Sequence, residues 1–123
     1  MADGLRGLAV LIVEDEFYLA DDLAFAVISA GASVCGPHGR VDDALRALDA
    51  GEVVDLAVLD IDLFGERVFP VADRLRGRGA PFLFATGYDH EIIPDRFRDA
   101  PRLEKPFAVE AVVAVLEALS SLG

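Results

Sequence analysis

The sequence predicts an α/β fold built on a doubly wound, five-stranded parallel sheet, and three observations carry that prediction. Two strand-sized apolar runs, Leu8-Ala9-Val10-Leu11-Ile12-Val13 and Leu56-Ala57-Val58-Leu59, lack the polar alternation of a half-exposed strand, as strands buried on both faces do. Stretches with apolar residues at helical spacing follow the strands, and several end at a glycine. The resulting order, strand then helix five times, gives a parallel sheet covered on both faces when every crossover is right-handed.

Taken in order, the first strand runs into Glu14-Asp15-Glu16. Residues 16–30 read as a helix, with Ala20, Leu23, Ala24, Val27 and Ile28 at helical spacing and Gly31 at the stop. Ala32-Ser33-Val34-Cys35 is a short strand, Gly36-Pro37-His38-Gly39 has loop chemistry, and residues 41–50 form a second helix with Ala44, Leu45 and Leu48 inward. The central strand, Leu56-Ala57-Val58-Leu59-Asp60-Ile61-Asp62, delivers a carboxylate at its C-terminal end. Residues 61–68 make a long loop, and Pro70, suited to a first helical turn, sets the third helix between about Phe69 and Gly77.

Pro81-Phe82-Leu83-Phe84-Ala85-Thr86-Gly87 is a fourth strand that ends in a hydroxyl and a glycine. The helix over residues 88–98 is expected to be short or broken, because Pro94 falls inside it and its apolar stripe is thin. Residues 101–103 form a fifth strand and residues 107–122 the last helix. On that helix Val109, Ala111, Val112, Val115, Leu116, Ala118, Leu119 and Leu122 leave only a narrow polar strip around Glu110, Glu117 and Ser121. The apolar arc is wider than the ~100° a surface helix needs for its own core, so part of it is expected to meet a partner, a second copy of the chain included.

The length of 123 residues reads as one domain spanning 1–123, with no linker, repeat or low-complexity segment. The longest apolar runs are strand-sized, so no membrane span fits, and the first four residues lack the basic and apolar regions of a secretory signal. A cytoplasmic protein is expected. The single Cys35 excludes an internal disulfide and reads as a small buried hydrophobe. A net charge of −11 disfavours nucleic acid, whose phosphates would be repelled over most of the surface. Arg74, Arg76, Arg78, Arg96, Arg98 and Arg102 read as a solvated face, and His38 and His90 as surface loop residues.

The chemistry lies at the strand ends, where open α/β sheets gather their functional groups. There Glu14, Asp15 and Asp60 meet, together with Thr86 after the fourth strand and Lys105 after the fifth. Crowded carboxylates raise one another's proton affinity unless a cation joins them. Magnesium suits such a cluster: it takes one or two carboxylates and keeps waters and room for phosphate oxygens, whereas calcium wants more protein oxygens and zinc wants His or Cys. With the metal in place Asp60 is a candidate nucleophile toward phosphorus, with Lys105 to neutralise the transferring group and the Thr86 hydroxyl to donate to one of its oxygens.

Over essentially its whole length the chain resembles the receiver domain of two-component response regulators, a CheY-like, flavodoxin-like (βα)5 fold. The matching pieces are Val13-Glu14-Asp15-Glu16, Leu59-Asp60, Ala85-Thr86-Gly87 and Lys105-Pro106-Phe107. The resemblance implies that Asp60 is the phosphoacceptor, served by a histidine kinase or histidine phosphotransfer protein. It implies Mg²⁺ held by Asp15, Asp60 and the Asp62 main-chain carbonyl, with Glu14 acting through water. It further implies that Thr86 and Lys105 sense the phosphoryl group, and that the Lys105–Pro106 bond is cis.

Pro81-Phe82-Leu83-Phe84-Ala85-Thr86-Gly87-Tyr88 also resembles the signature of the FATGUY receivers, which are typically stand-alone members of phosphorelays often tied to stress signalling. A stand-alone receiver without an output domain, acting as a messenger rather than a turnover enzyme, is therefore expected. The chain departs from the usual pattern at three positions. Arg102 stands where most receivers carry an aromatic switch residue, Phe64 where a proline is common, and Glu14 where aspartate is commoner. Two rival readings are a phosphate-independent interaction module on the same fold, motivated by Phe64 and Arg102, and a magnesium-dependent phosphatase, motivated by the D-x-D form of Asp60-Ile61-Asp62.

Overall fold

In the computed structural model, which describes residues 4–87 and 93–122, the chain forms one five-stranded parallel sheet with helices on both faces. In chain order come β1 (Ala9–Val13), α1 (Phe17–Ser29), β2 (Ser33–His38), α2 (Val41–Asp49), β3 (Leu56–Asp60), β4 (Asp62–Leu63), β5 (Glu66–Arg67), α3 (Phe69–Gly77), β6 (Phe82–Thr86), β7 (Arg102–Glu104) and α4 (Val109–Leu122). The sheet order is β2-β1-β3-β6-β7, so β3 is central and is buried along its whole length. The wholly apolar patterns of β1, β3 and β6 follow from that position, since helices cover both faces.

Two apolar layers flank the sheet. Residues of β1, β3 and β6 pack on one face with Ala44 and Leu48 of α2 and Val71, Ala72 and Leu75 of α3. On the other face, Leu23 and Val27 of α1 and Val112 and Leu116 of α4 meet Val10, Ile12, Val58 and Leu83. Each Val, Leu or Ile side chain among these, when fully buried, contributes about 1.5–3 kcal/mol. Cys35 is buried on β2, as expected.

The structure moves several of the expected boundaries. β2 runs on through Gly36-Pro37-His38 instead of ending in a loop. It is an edge strand, so a proline removes no ladder bond, and beyond a register irregularity the Glu14 N–H donates to the His38 carbonyl at 2.9 Å. Gly36 has φ +98, and a Cβ there would stand 2.8 Å from the His38 nitrogen, so only glycine fits. His38 is accordingly half-buried at a strand end, not a surface loop residue, while His90 lies outside the described residues.

Residues 61–68 are not an irregular loop, because β4 and β5 pair antiparallel through a two-residue turn, Phe64-Gly65. Both turn residues have positive φ, +53 and +85, the pattern of a type I′ hairpin. The expected broken helix over 88–98 is, among the described residues, a single 3₁₀ turn at Asp95–Phe97 after Pro94, and residues 88–92 lie outside the description. The last helix starts at Val109, two residues later than expected, after the Lys105–Pro106 bond, which is cis.

The wide apolar arc of α4 is spent mainly on the protein's own core. Val112 and Leu116 are fully buried, and Val109, Val113, Val115 and Leu119 are partly buried against the same layer. Its exposed apolar positions between Val109 and Ser121 are alanines, Ala114 and Ala118. Large exposed apolar side chains stand instead on α1, at Phe17, Tyr18, Phe25 and Ile28.

Candidate functional site

The parallel order brings the ends of β1, β3, β6 and β7 to one edge, and with them the residues expected there. Asp60 closes β3 and Thr86 closes β6, while Glu14 and Asp15 follow β1 and Lys105 follows β7. Register fixes the spacing: Val13 lies opposite Leu59 and Asp60 opposite Ala85. A short backbone bond of 2.7 Å from the Lys105 N–H to the Thr86 carbonyl ties the last two residues together.

Among the described residues Glu14, Asp60 and Thr86 are the buried polar side chains in an otherwise apolar interior. Carboxylate oxygens of Glu14, Asp15 and Asp60 lie within 4.8 Å of one another. The Lys105 ammonium donates to Glu14 Oε2 at 3.0 Å and to Asp60 Oδ2 at 3.4 Å. The other Asp60 oxygen, Oδ1, accepts the Asp62 N–H at 3.4 Å. Both contacts to Asp60 are long, so its oxygens are oriented without being tightly satisfied.

Electrostatics follow from this crowding. Burial pushes the Asp60 carboxyl up to about 8, the Glu14 charge adds to the effect, and Lys105 offsets part of it. Burial also disfavours charge on Lys105, but Asp60 and Glu14 outweigh it and hold the ammonium above its ordinary range. Glu14 Oε1 is buried with no hydrogen-bond partner among the described residues, a costly state that an added cation or its water relieves. This orphaned oxygen and an all-oxygen donor set fit a hard cation such as Mg²⁺.

Three further contacts were not read as part of the site from the sequence. Glu16 Oε2 lies 3.7 Å from the Lys105 ammonium, its backbone N–H caps Glu14 Oε2 at 3.1 Å, and the Phe64 N–H donates to Asp15 Oδ2 at 3.4 Å. The run of three acids was a visible signal for Glu16. Nothing local marks Phe64, since its role comes from a backbone group in a turn. Arg102 is exposed on β7, and the other arginines of the expected solvated face are exposed as well, each making a contact within the chain. Arg74 pairs with Asp49, Arg76 with Asp99, Arg96 with Asp73 and Arg98 with Asp95, while Arg78 donates to the Glu52 carbonyl.

No family model matches the chain. The sensory transduction protein LytT of Bacillus subtilis (strain 168) is 33% identical over 115 residues, covering 89% of this chain and 47% of LytT. The chain thus spans about half the length of that curated relative. The solution structure of SdrG from Sphingomonas melonis Fr1 is 31% identical with a TM-score of 0.69, covering 93% of this chain and 96% of that one. A response regulator receiver protein from Sinorhizobium medicae WSM419 shares the fold at a TM-score of 0.80, with 22% identity over 95% of this chain and 97% of its own. Among the described residues no helix is long and apolar enough to cross a membrane.

Proposed function

Because the chain belongs to the receiver-domain family of two-component response regulators, we propose that it takes a phosphoryl group onto Asp60 from a phosphohistidine and signals through altered protein contacts. The donor is a histidine kinase or a histidine phosphotransfer protein. One observation carries the reading: the carboxylate at the end of the central strand is buried beside two further acids and one lysine.

In the transfer, an Asp60 oxygen forms a bond to phosphorus as the P–N bond of the donor breaks, and the imidazole leaves with the electron pair and takes up a proton. Glu14, Asp15, Asp60 and the Asp62 main-chain carbonyl would hold Mg²⁺, which when bound lowers the Asp60 proton affinity and neutralises phosphoryl oxygens. Lys105 shifts from the carboxylates to a phosphoryl oxygen, and the Thr86 hydroxyl donates to another. Loss of the group by attack of water on phosphorus returns Asp60 and inorganic phosphate, so the cycle switches a state and does not turn over an external substrate. Exposed Phe17 and Tyr18, beside a groove lined by Glu16, Leu19, Lys105 and Phe107, offer a donor protein an apolar foothold next to the acceptor. Assignment to the FATGUY subgroup and a phosphorelay role in stress signalling belong to this reading, supported by the run from Pro81 to Tyr88.

The test is intact-mass analysis after incubation with phosphoramidate and Mg²⁺, with the modified peptide then mapped. One added phosphoryl group on Asp60, absent with chelator and in Asp60→Ala, is the expected result. No mass gain would move the balance to the phosphate-independent module.

A further inference from the structure

The turn at Phe64 holds features that the phosphoryl chemistry leaves unexplained. Phe64 is the one described residue other than glycine with positive φ, at +53. A bulky side chain is disfavoured there, and such conformations persist where the surroundings over-determine them. The ring is 65% exposed, so core burial is not what holds it. Two contacts do: the Arg40 guanidinium sits 5.1 Å above the ring, and the Phe64 N–H points at Asp15 Oδ2, 3.4 Å away. The β4–β5 ribbon sets the direction of that N–H, because Leu63 and Glu66 pair across the turn.

Asp15 is thus gripped between two segments. On its other side the segment before α2 packs closely, so that a Cβ on Gly39 would stand 3.6 Å from the Asp15 Cα. Arg40 follows Gly39 directly, and its stacking on Phe64 links the two segments across Asp15. Lys105 donates to Glu14 and Asp60, whereas the Phe64 N–H is a backbone donor aimed at the Asp15 carboxylate and orients it.

We infer that Phe64 is a positioning residue for the metal site: its main-chain N–H, held in a left-handed turn, orients the Asp15 carboxylate toward the cation. This rests on the reading that Glu14, Asp15 and Asp60 hold Mg²⁺. The group involved is the backbone, so side-chain identity matters only through the conformation it permits. A proline at 64 cannot do this, since it has no N–H and its φ is locked negative. A glycine can, because positive φ is natural to it.

The test is Mg²⁺ affinity by isothermal titration calorimetry for the wild type, Phe64→Pro and Phe64→Gly, with thermal unfolding as a check on the fold. Loss of a contact that orients a metal ligand typically weakens affinity by about 10–100-fold, and we expect Phe64→Pro at the lower end of that range and Phe64→Gly within about 2-fold of the wild type. Equal affinity in all three overturns the inference. No binding by the wild type overturns the magnesium reading instead, and so separates the two failures. Should Phe64→Pro fail to fold, amide exchange supplies the answer in soluble variants: the Phe64 N–H should exchange faster in Asp15→Ala than in the wild type, and an unchanged rate overturns the inference.

Discussion

One register step separates two regions of opposite character. Leu59 and Phe84 pair across β3 and β6, and the next step along pairs Asp60 with Ala85. Phe84 belongs to an aromatic block with Phe69, Phe82 and Phe97, whose ring centroids lie 5.2–5.9 Å apart, with the Arg76 guanidinium 5.4 Å from two of the rings. Every element there stabilises its neighbours. Asp60 belongs to a pocket of three acids and one lysine, where a buried Glu14 oxygen has no partner among the described residues and the Asp60 carboxyl is pushed toward its protonated form. The difference teaches where the fold keeps its stability and where it keeps its chemistry. The aromatic block anchors the strands, and that rigidity lets the acid pocket stay unsatisfied, as the proposed role of binding a cation and accepting a phosphoryl group requires.

The contrast is broken most severely from the aromatic side. Phe84→Ala is expected to lose about 3–5 kcal/mol of stability in denaturant unfolding, with the cavity adding to the lost transfer energy. Asp60→Asn, one step along the strand, should abolish phosphoryl acceptance and leave the metal-free protein at least as stable as the wild type near neutral pH. A large loss of stability in Asp60→Asn would erase the distinction between the two regions.

Next in size is Lys105→Met, which leaves Glu14 and Asp60 without their cation. We expect it to cost roughly 1–3 kcal/mol in metal-free unfolding, part of which Mg²⁺ restores. The pH dependence follows. Unfolded, Asp60 gives up its proton near the ordinary aspartate value of about 3.9, whereas the folded carboxyl keeps it up to about 8. Between those values the folded state binds the extra proton, so stability falls as pH rises. Metal-free wild type should therefore lose ground to Asp60→Asn across this window, measured as parallel denaturant midpoints, and a flat difference would contradict it. The smallest effect lies on the arginine-rich face. Arg96→Ala removes an exposed pair with Asp73 and a ring contact at 4.6 Å, and should shift the unfolding midpoint little, less still at high salt.

How far the sequence reads into this molecule follows the same contrast. The apolar runs of β1, β3 and β6 and the acids and lysine at their ends were legible because burial on both faces and charge at strand ends leave marks on residue type. The extension of β2 through Pro37 was not, since an edge strand tolerates a residue that elsewhere ends one. The β4–β5 ribbon was hidden because Phe64 carries no turn signal, although it takes positive φ together with Gly65 to make the hairpin. How much of the apolar arc of α4 serves the protein's own core was not legible, since the sequence does not show how much of a helix its own sheet covers. Within the site, Asp60, Glu14, Asp15, Thr86 and Lys105 were each named from position, while the Phe64 N–H depends on a backbone direction that no residue type encodes.

The most direct measurement of the central claim is thermal unfolding of the wild type and Asp60→Asn above pH 8, each with chelator and with Mg²⁺. With Asp60 ionised and no cation, the wild type should melt below the variant, and Mg²⁺ should raise the wild type by more than it raises Asp60→Asn. Identical melting of the two proteins, with or without the metal, would contradict the account of the acid pocket as a site kept unsatisfied for a cation.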